Sequence, residues 1–489
     1  MSIEKIAQTL RRDFGGRLVV VSNREPYIHD RTPEGVKVRR PAGGLTSALD
    51  PLLRSSGGLW VGWGSGDADR ECSDEQGRCP VPPEDPQYTL KRVWLSPEEV
   101  RGHYYGFSNQ TLWPLCHLRL DKTRFRARDW EVYRRVNQTF AQAVFESELR
   151  EEDVVWFQDY HLALAPAFLR EREPRLPLMQ FWHIPWPPWD VFRACPWREE
   201  LLSGLLSNDL LGFQLDRFCQ NFLDCASQGL GAGVVKGRGV VRYRGRETLV
   251  AAFPISIDYG HWSSLARSRA REAQAAAIRK ELGGGGVLGI GVDRLDYTKG
   301  IAERFRAIER FLERYPRHQN RFQFVQVAVP SRTRIQEYRD LRAAVEERIN
   351  HANDRFGGKG PPPIRYLYRN LPSTELAALY RAADFCLVSS LHDGMNLVAK
   401  EFIACQVERR GVLVCSEFAG AAEEFDNALL VNPFDTEGFA DTICWAIEMS
   451  PEAKELRMSR LQEHLGVHDI YRWMREILVR LARFKRRAL

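Results

Sequence analysis

The chain has no run of apolar residues approaching the roughly 18 that a membrane span requires. Residues 1–14 are polar and charged and lack the apolar stretch of a secretory signal, so the cytoplasm is the expected compartment. Metal-binding cysteine spacing is missing as well. The 10 cysteines are scattered, with no CxxC, and Cys386, Cys405, Cys415 and Cys444 sit in apolar stretches where cysteine serves as a small core residue. Cys72 and Cys79 flank a polar loop with no histidine pair nearby, so neither zinc nor a disulfide is expected there. GxSxG, HExxH and phosphate-loop motifs are absent, which disfavours the hydrolase, zinc-protease and NTPase classes they mark. An excess of one charge is lacking too: 70 Lys and Arg against 64 Asp and Glu leave +6, and the two signs are interspersed. The basic cluster at 480–487 fits one face of a terminal helix, so nucleic acid is not an expected partner.

What the chain does contain is alternation. At 489 residues it exceeds one ordinary domain and suits two. Short β-branched or aromatic runs predict strands at 18–22, 154–157, 178–182, 210–214, 287–292, 322–329, 364–368, 385–388 and 412–415. Helical patterns fall at 130–148, 301–314, 334–351, 373–382, 397–405 and 436–449. Continuous apolar strands alternating with helices imply parallel sheets covered on both faces. A domain break is expected near 253–258, where a strand-like run meets Pro254. A helical stretch over 259–281 and the glycine run 283–286 then precede a fresh series at Val287. The expected fold class is α/β, with two Rossmann-like doubly wound domains facing a central cleft.

Sheets of this kind bind ligands at the carboxyl ends of their strands. Polar residues gather at those ends: Arg24, Asp159 with His161, His183, Arg294, Arg332, and the stretch from Asp393 to Asn396. Two of the loops are long enough to read as sites. In Val292-Asp293-Arg294-Leu295-Asp296-Tyr297-Thr298-Lys299-Gly300, two cations precede a helix. Unpaired N–H groups and the helix dipole favour an anion there, and a diphosphate is the natural occupant. Asp293 and Asp296 offer the other reading, in which they hold both cations in a structural network. In Leu391-His392-Asp393-Gly394-Met395-Asn396-Leu397-Val398-Ala399-Lys400-Glu401, the N–H groups near Leu397 and Val398 can hold phosphate oxygens. Asp393 can bind sugar hydroxyls or act as an N-cap, and Glu401 can accept from a ribose diol. The glycine pair in Ala42-Gly43-Gly44-Leu45 can share a ligand with Arg24, and the guanidinium fork of Arg332 suits a phosphate. Trp60, Trp63, Trp113, Trp182, Trp186 and Trp189 read as core or cleft-wall aromatics, and His183 is held in a proline-stiffened turn, His183-Ile184-Pro185-Trp186-Pro187.

Together these motifs resemble the trehalose-6-phosphate synthases, the retaining glycosyltransferases of family 20 with the GT-B fold. The matching pieces begin with Val20-Val21-Ser22-Asn23-Arg24, Ala42-Gly43-Gly44-Leu45, Gly62-Trp63, Phe107-Ser108-Asn109 and Leu112-Trp113-Pro114. They continue with Gln158-Asp159-Tyr160-His161, His183-Ile184-Pro185, the 294–300 loop, Pro330-Ser331-Arg332 and the 393–401 motif. The resemblance implies transfer of glucose from a nucleoside-diphosphate glucose, UDP-glucose foremost, to glucose 6-phosphate, giving trehalose 6-phosphate. It implies no metal and no cofactor, small-molecule partners without nucleic acid or membrane, and leaves a homo-oligomer open. It places Arg294 and Lys299 on the donor diphosphate with Gly44 nearby, Glu401 on the ribose, and Asp393, Gly394, Met395, Asn396, Leu397 and Val398 around the donor glucose and phosphates. His183 touches the transferred glucose and joins Arg294, Lys299 and Asp393 in the catalytic set. Arg24, Tyr104 and Arg332 bind the acceptor phosphate, while Trp63, Trp113 and Asp159 shape the acceptor pocket. By the same resemblance, residues 1–258 form the acceptor-side domain and 259–465 the nucleotide-sugar domain. A helix in 466–489 then crosses back onto the first domain.

Departures from the family pattern fall mostly on the acceptor side. Residues 25–40 are longer and more charged, and Arg24-Glu25-Pro26-Tyr27 is also similar to glucosylglycerol-phosphate synthases. Residues 67–86 look inserted, and Trp186 stands where the family more often has Phe. Another phosphorylated acceptor such as glycerol 3-phosphate is therefore the alternative. A non-catalytic sugar-phosphate sensor is the alternative of another class, disfavoured because His183, Arg294, Lys299, Asp393 and Glu401 are all present.

Overall fold

The computed structural model describes residues 3–41, 44–235, 237–281, 286–357 and 361–488. Ala42, Gly43 and residues 283–285 of the glycine run lie outside them. The chain divides into two compact units, Met1–Ile255 with Tyr471–Leu489, and Ser256–Ile470. Among the described residues no helix is long and apolar enough to cross a membrane.

The strands of the first unit are β1 Leu18–Arg24, β2 Ile28–Thr32, β3 Gly35–Arg39, β4 Leu59–Trp63, β5 Arg78–Val81, β6 Tyr88–Val93, β7 Val154–Gln158, β8 Leu178–Phe181, β9 Leu210–Phe213, β10 Gly233–Val235, β11 Val240–Tyr243 and β12 Arg246–Ala252. Ten of them form one sheet in the order β10-β11-β12-β9-β8-β7-β1-β4-β6-β5, and β2 and β3 make a separate hairpin. From β6 to β12 every pairing is parallel; the antiparallel strands are at the edges. The centre is where the valines are: β1 is buried from Leu18 through Asn23, as a parallel strand covered on both faces must be.

The second unit holds β13 Val287–Arg294, β14 Phe322–Val329, β15 Ile364–Leu367, β16 Phe385–Val388, β17 Val412–Ser416 and β18 Leu429–Val431. They pair in parallel throughout, in the order β15-β14-β13-β16-β17-β18. This is the doubly wound order of a Rossmann sheet, with its reversal between β13 and β16. The helix Ile301–Arg314 follows from its sequence: Ile301, Phe305, Ile308 and Leu312 share one face and are buried in the core with Phe324 and Phe385. Full burial of each such side chain contributes about 1.5–3 kcal/mol.

The mixed α/β architecture with parallel sheets is the one the alternation predicts. Several local readings differ. The helical stretch 259–281 is two helices, Tyr259–Arg267 and Arg269–Glu281, because Ser268 adopts an extended conformation (φ −63°, ψ 142°) and restarts the chain. Strands β4 and β6 are not among the expected ones; in β6 the adjacent Lys91 and Arg92 break the apolar run, and the fold buries both.

Candidate active site

Both long motifs leave the second sheet at its reversal, one after β13 and the other after β16. Tertiary folding locks them together. Leu391 N–H donates to the Thr298 carbonyl at 2.8 Å, and the Ser389 hydroxyl lies 3.0 Å from the Lys299 carbonyl and 2.9 Å from that of Gly300. Lys299 Nζ donates to Asp393 Oδ2 at 2.5 Å. Gly300 makes the approach possible: its φ is +60°, and a Cβ there would lie 2.0 Å from the Ser389 carbonyl oxygen. Arg294 ends β13 with an exposed side chain. The two aspartates of the first loop each have a partner: Asp293 holds Arg304 at 2.6 Å, and Asp296 holds Arg332 at 2.7 Å.

The second motif opens the helix Leu397–Cys405. Its N-cap is Asn396, whose Oδ1 accepts from Ala399 N–H at 3.0 Å. The capping role open to Asp393 is therefore taken by Asn396. Asp393 instead receives Lys299, Ser390 Oγ at 3.1 Å and Asn396 Nδ2 at 3.4 Å. Met395 is buried, while Leu397 and Val398, the first two residues of the helix, are half-buried. Gly394 packs so closely on Gly420 that a Cβ on the latter would meet the Gly394 carbonyl oxygen at 2.1 Å. One turn into the helix, Glu401 accepts from the Tyr380 hydroxyl at 3.1 Å. Burial pushes its carboxyl up to about 7, against the opposing pull of that hydroxyl. Its neighbour Lys400, fully buried, is balanced by Glu424 at 2.7 Å.

Arg332 belongs to the second unit. It has a left-handed backbone (φ +46°) and is buried. Its guanidinium also donates to the Tyr338 hydroxyl, which in turn donates to Asp296 Oδ2 at 2.9 Å.

In the first unit the parallel register brings strand ends side by side. Arg24 of β1 is the direct partner of Trp63 of β4, and Gln158 of β7 pairs with Phe181 of β8. Arg24 Nη2 donates to the Tyr104 hydroxyl at 3.4 Å, and the Tyr104 ring lies 6.4 Å from Trp63 and stacks on His161 at 5.8 Å. Tyr104 sits in a π-helical segment, Val100–Leu112, a geometry that recurs at functional sites. Trp113 follows it and is buried 6.0 Å from the Tyr160 ring. Asp159 has a left-handed φ of +69°, and its carboxylate accepts from His183 N–H at 3.2 Å. The imidazole of His183 lies against Phe181 and has Nε2 3.0 Å from Gln158 Oε1. Burial pushes it down to about 3, so it is neutral at pH 7. Gly44 opens the helix Gly44–Ser56 in the same unit. Arg24, Trp63, Tyr104, Trp113 and Asp159 are thus brought into one neighbourhood of the first unit, while Arg294, Lys299, Glu401 and the 393–398 turn share the second.

The two unusual segments of the first unit, 25–40 and 67–86, are fastened to each other by Arg92. Its Nε donates to Glu25 Oε2 at 2.7 Å, its Nη2 lies 3.0 Å from Asp69, and its Nη1 donates to Ser73 Oγ at 2.8 Å. Elsewhere, His318, Cys444 and Glu448 bring ligand-type atoms within 4.8 Å of one another. Arg317, 2.6 Å from Glu448 and 3.4 Å from Cys444 Sγ, already supplies positive charge there.

The sequence matches the family model described as glycosyltransferase family 20 over residues 16–483. The chain belongs to glycosyltransferase family 20. It is 43% identical over 473 residues to the trehalose-6-phosphate synthase of Mycobacterium avium (strain 104), covering 95% of each chain. An α,α-trehalose-phosphate synthase (UDP-forming) from Burkholderia xenovorans, solved in complex with glucose 6-phosphate, superposes with a TM-score of 0.86 at 35% identity, covering 95% of this chain and 100% of that one. The E. coli trehalose-6-phosphate structure bound with UDP-2-fluoro glucose gives a TM-score of 0.86 at 34% identity, covering 96% and 99%. The fold is accordingly GT-B, and this family 20 protein is a glycosyltransferase.

Motif reading singled out Gln158 and His161 without their partners, and passed over Tyr380, Ser389 and Arg304. His161 stacks on Tyr104, Gln158 holds His183, Tyr380 holds Glu401, and Ser389 with Arg304 holds the 294–300 loop. Arg304 left a trace in the sequence, since it falls on the buried face defined by Ile301, Phe305 and Ile308, where an arginine needs a reason. The others are ordinary loop or helix residues until the sheet brings their partners in.

Proposed function

We propose that this family 20 enzyme transfers glucose from UDP-glucose to glucose 6-phosphate with retention, releasing trehalose 6-phosphate and UDP. The observation that carries the reading is the interlocked pair of loops at the β13/β16 reversal. There Lys299, Arg294 and the helix N-terminus at Leu397 supply the positive potential that a departing diphosphate needs. Near-full-length identity to trehalose-6-phosphate synthases supports it. In this account the second unit binds the nucleotide sugar, with Glu401 on the ribose and residues 393–398 around glucose and phosphates. The first unit supplies His183 to the transferred glucose and Gly44 near the diphosphate. Arg24, Tyr104 and Arg332 bind the acceptor phosphate, and Trp63, Trp113 and Asp159 shape the acceptor pocket.

The acceptor hydroxyl attacks from the face that the diphosphate leaves, and an oxygen of the leaving diphosphate takes its proton. Catalysis then rests on positioning and on charge stabilisation by Arg294 and Lys299, without a metal. The chain works in the cytoplasm on small molecules, and chelator leaves turnover unchanged.

The test is incubation of purified protein with UDP-, GDP- or ADP-glucose against glucose 6-phosphate and glycerol 3-phosphate, following nucleotide release and product. UDP release with trehalose 6-phosphate formation is expected. Release with glycerol 3-phosphate alone would replace the acceptor, and no release with any pair would remove the reading. Arg294→Ala and Lys299→Ala should each lower kcat by roughly 10²–10³-fold, whereas Arg24→Ala should chiefly raise the acceptor KM.

A further inference from the structure

Arg304 lies in the first turn of the helix Ile301–Arg314, on its buried face, with no exposed surface. An arginine in that position costs several kcal/mol unless it is paired, and a leucine would suit the surrounding apolar face. Its contacts fall on three strands or strand ends. Nη1 donates to Asp293 Oδ2 in β13 and to Gln326 Oε1 in β14, each at 2.6 Å, and Nε donates to Ser389 Oγ, just beyond β16, at 3.0 Å. Gln326 Nε2 closes the cluster onto Asp293 at 3.3 Å. The sheet is shaped to admit this side chain: a Cβ on Gly291 of β13 would lie 2.3 Å from Arg304 Nη1.

The bond to Ser389 sets a direction. A hydroxyl has one proton; with a lone pair taken by Arg304 Nε, that proton is left for the carbonyls of Lys299 and Gly300, 3.0 and 2.9 Å away. Those carbonyls belong to Lys299 itself and to Gly300, the N-cap of the helix Ile301–Arg314. We propose that Arg304, acting through Ser389, is a positioning residue that holds Lys299 and the helix N-terminus at the donor diphosphate. The inference rests on the donor reading above.

Ser389→Ala removes the link while keeping the buried ion pair, and Arg304→Lys keeps the charge but not the three-way fork. Each is compared with wild type in five measurements: UDP affinity by calorimetry, donor KM, acceptor KM, kcat and Tm. The expected result is UDP affinity and kcat each reduced about tenfold, the loss of roughly one well-formed hydrogen bond, with the acceptor KM within about twofold. A merely structural residue would lower Tm and the active fraction while leaving UDP affinity and both KM values in place. If both variants bind UDP within about twofold of wild type, the proposal is overturned. A wild-type protein that binds no UDP would instead remove the donor reading itself, and one that binds UDP without turnover would remove the proposed reaction but leave the brace testable by affinity.

Discussion

At Glu401, burial opposes the role proposed for it on the donor ribose. Burial raises the carboxyl to about 7, although the Tyr380 hydroxyl favours its ionised form. A ribose diol donates protons and needs the carboxylate. Below about pH 7 the free enzyme therefore spends binding energy on ionising Glu401, and kcat/KM for the donor should fall with an inflection near 7. Glu401→Gln should weaken donor binding and flatten that limb; a variant with the same inflection would show that another group is titrating. His183 makes the opposite case. Held at about 3 by burial, its imidazole stays neutral across the working range. It should contribute no limb near its ordinary value of 6.5, and it acts as a neutral hydrogen-bonding group. These shifts could not be read from the motifs, because desolvation belongs to the packed state. The residue types could, because phosphates, diols and hydroxyls each demand a particular donor or acceptor.

Among the elements, the helix Ile301–Arg314 is the clearest case of sequence deciding structure, its predicted bounds being the observed ones. A glycine start, an apolar face and a closing Tyr-Pro leave little room for another answer. Gly300 itself is doubly constrained by φ and by the Ser389 carbonyl. Gly300→Ala should cost about 1–3 kcal/mol from backbone strain alone, with a further loss of donor affinity as the loops part. Thermal unfolding together with UDP titration checks both. The β2–β3 hairpin and the stretch after β4 were legible only as irregularities. What fastens them is the buried cluster of Arg92, Glu25, Asp69 and His29, drawn from three separate stretches of the sequence. Within it burial outweighs Arg92 and lifts Glu25 to about 8, while Asp69, despite its burial, is held low by hydrogen bonds from His29 and Glu25. The folded state then keeps a proton that the unfolded chain releases above its ordinary value of 4.5. This contribution to stability is fully present below that value and is lost as pH climbs through about 8. Urea midpoints at pH 5 and pH 8 should differ less in Glu25→Gln than in wild type.

At the scale of the molecule, the last helix, Ile470–Ala488, is grouped from Tyr471 onward with the first unit rather than with the residues that precede it. Trp473 anchors it: the indole is buried, its ring centroid lies 5.3 Å from that of Trp156 and 5.0 Å from that of Phe181, and its Nε1 donates to the Phe253 carbonyl at 3.1 Å. Trp473→Ala should destabilise the first unit by about 3–5 kcal/mol in a denaturant titration. Because His183 lies 6.4 Å from the same ring, the variant should also lose turnover before it unfolds.

The sequence by itself determined the α/β class, most parallel strands, the helices with strong apolar periodicity, and the two strand–loop–helix motifs that mark family 20. Those signals are local, set by side-chain period, turn chemistry and the few residue types that suit phosphate and sugar. Tertiary structure decided the pairings. Lys299 and Asp393 stand 94 residues apart and meet only because β13 and β16 are neighbours in the sheet. Asp296 reaches Arg332 because β13 and β14 are neighbours, and Arg304 reaches Gln326 and Ser389 on the two strands that flank β13. Which of several possible partners a buried charge takes depends on strand order and desolvation, and neither is a property of any short stretch of chain.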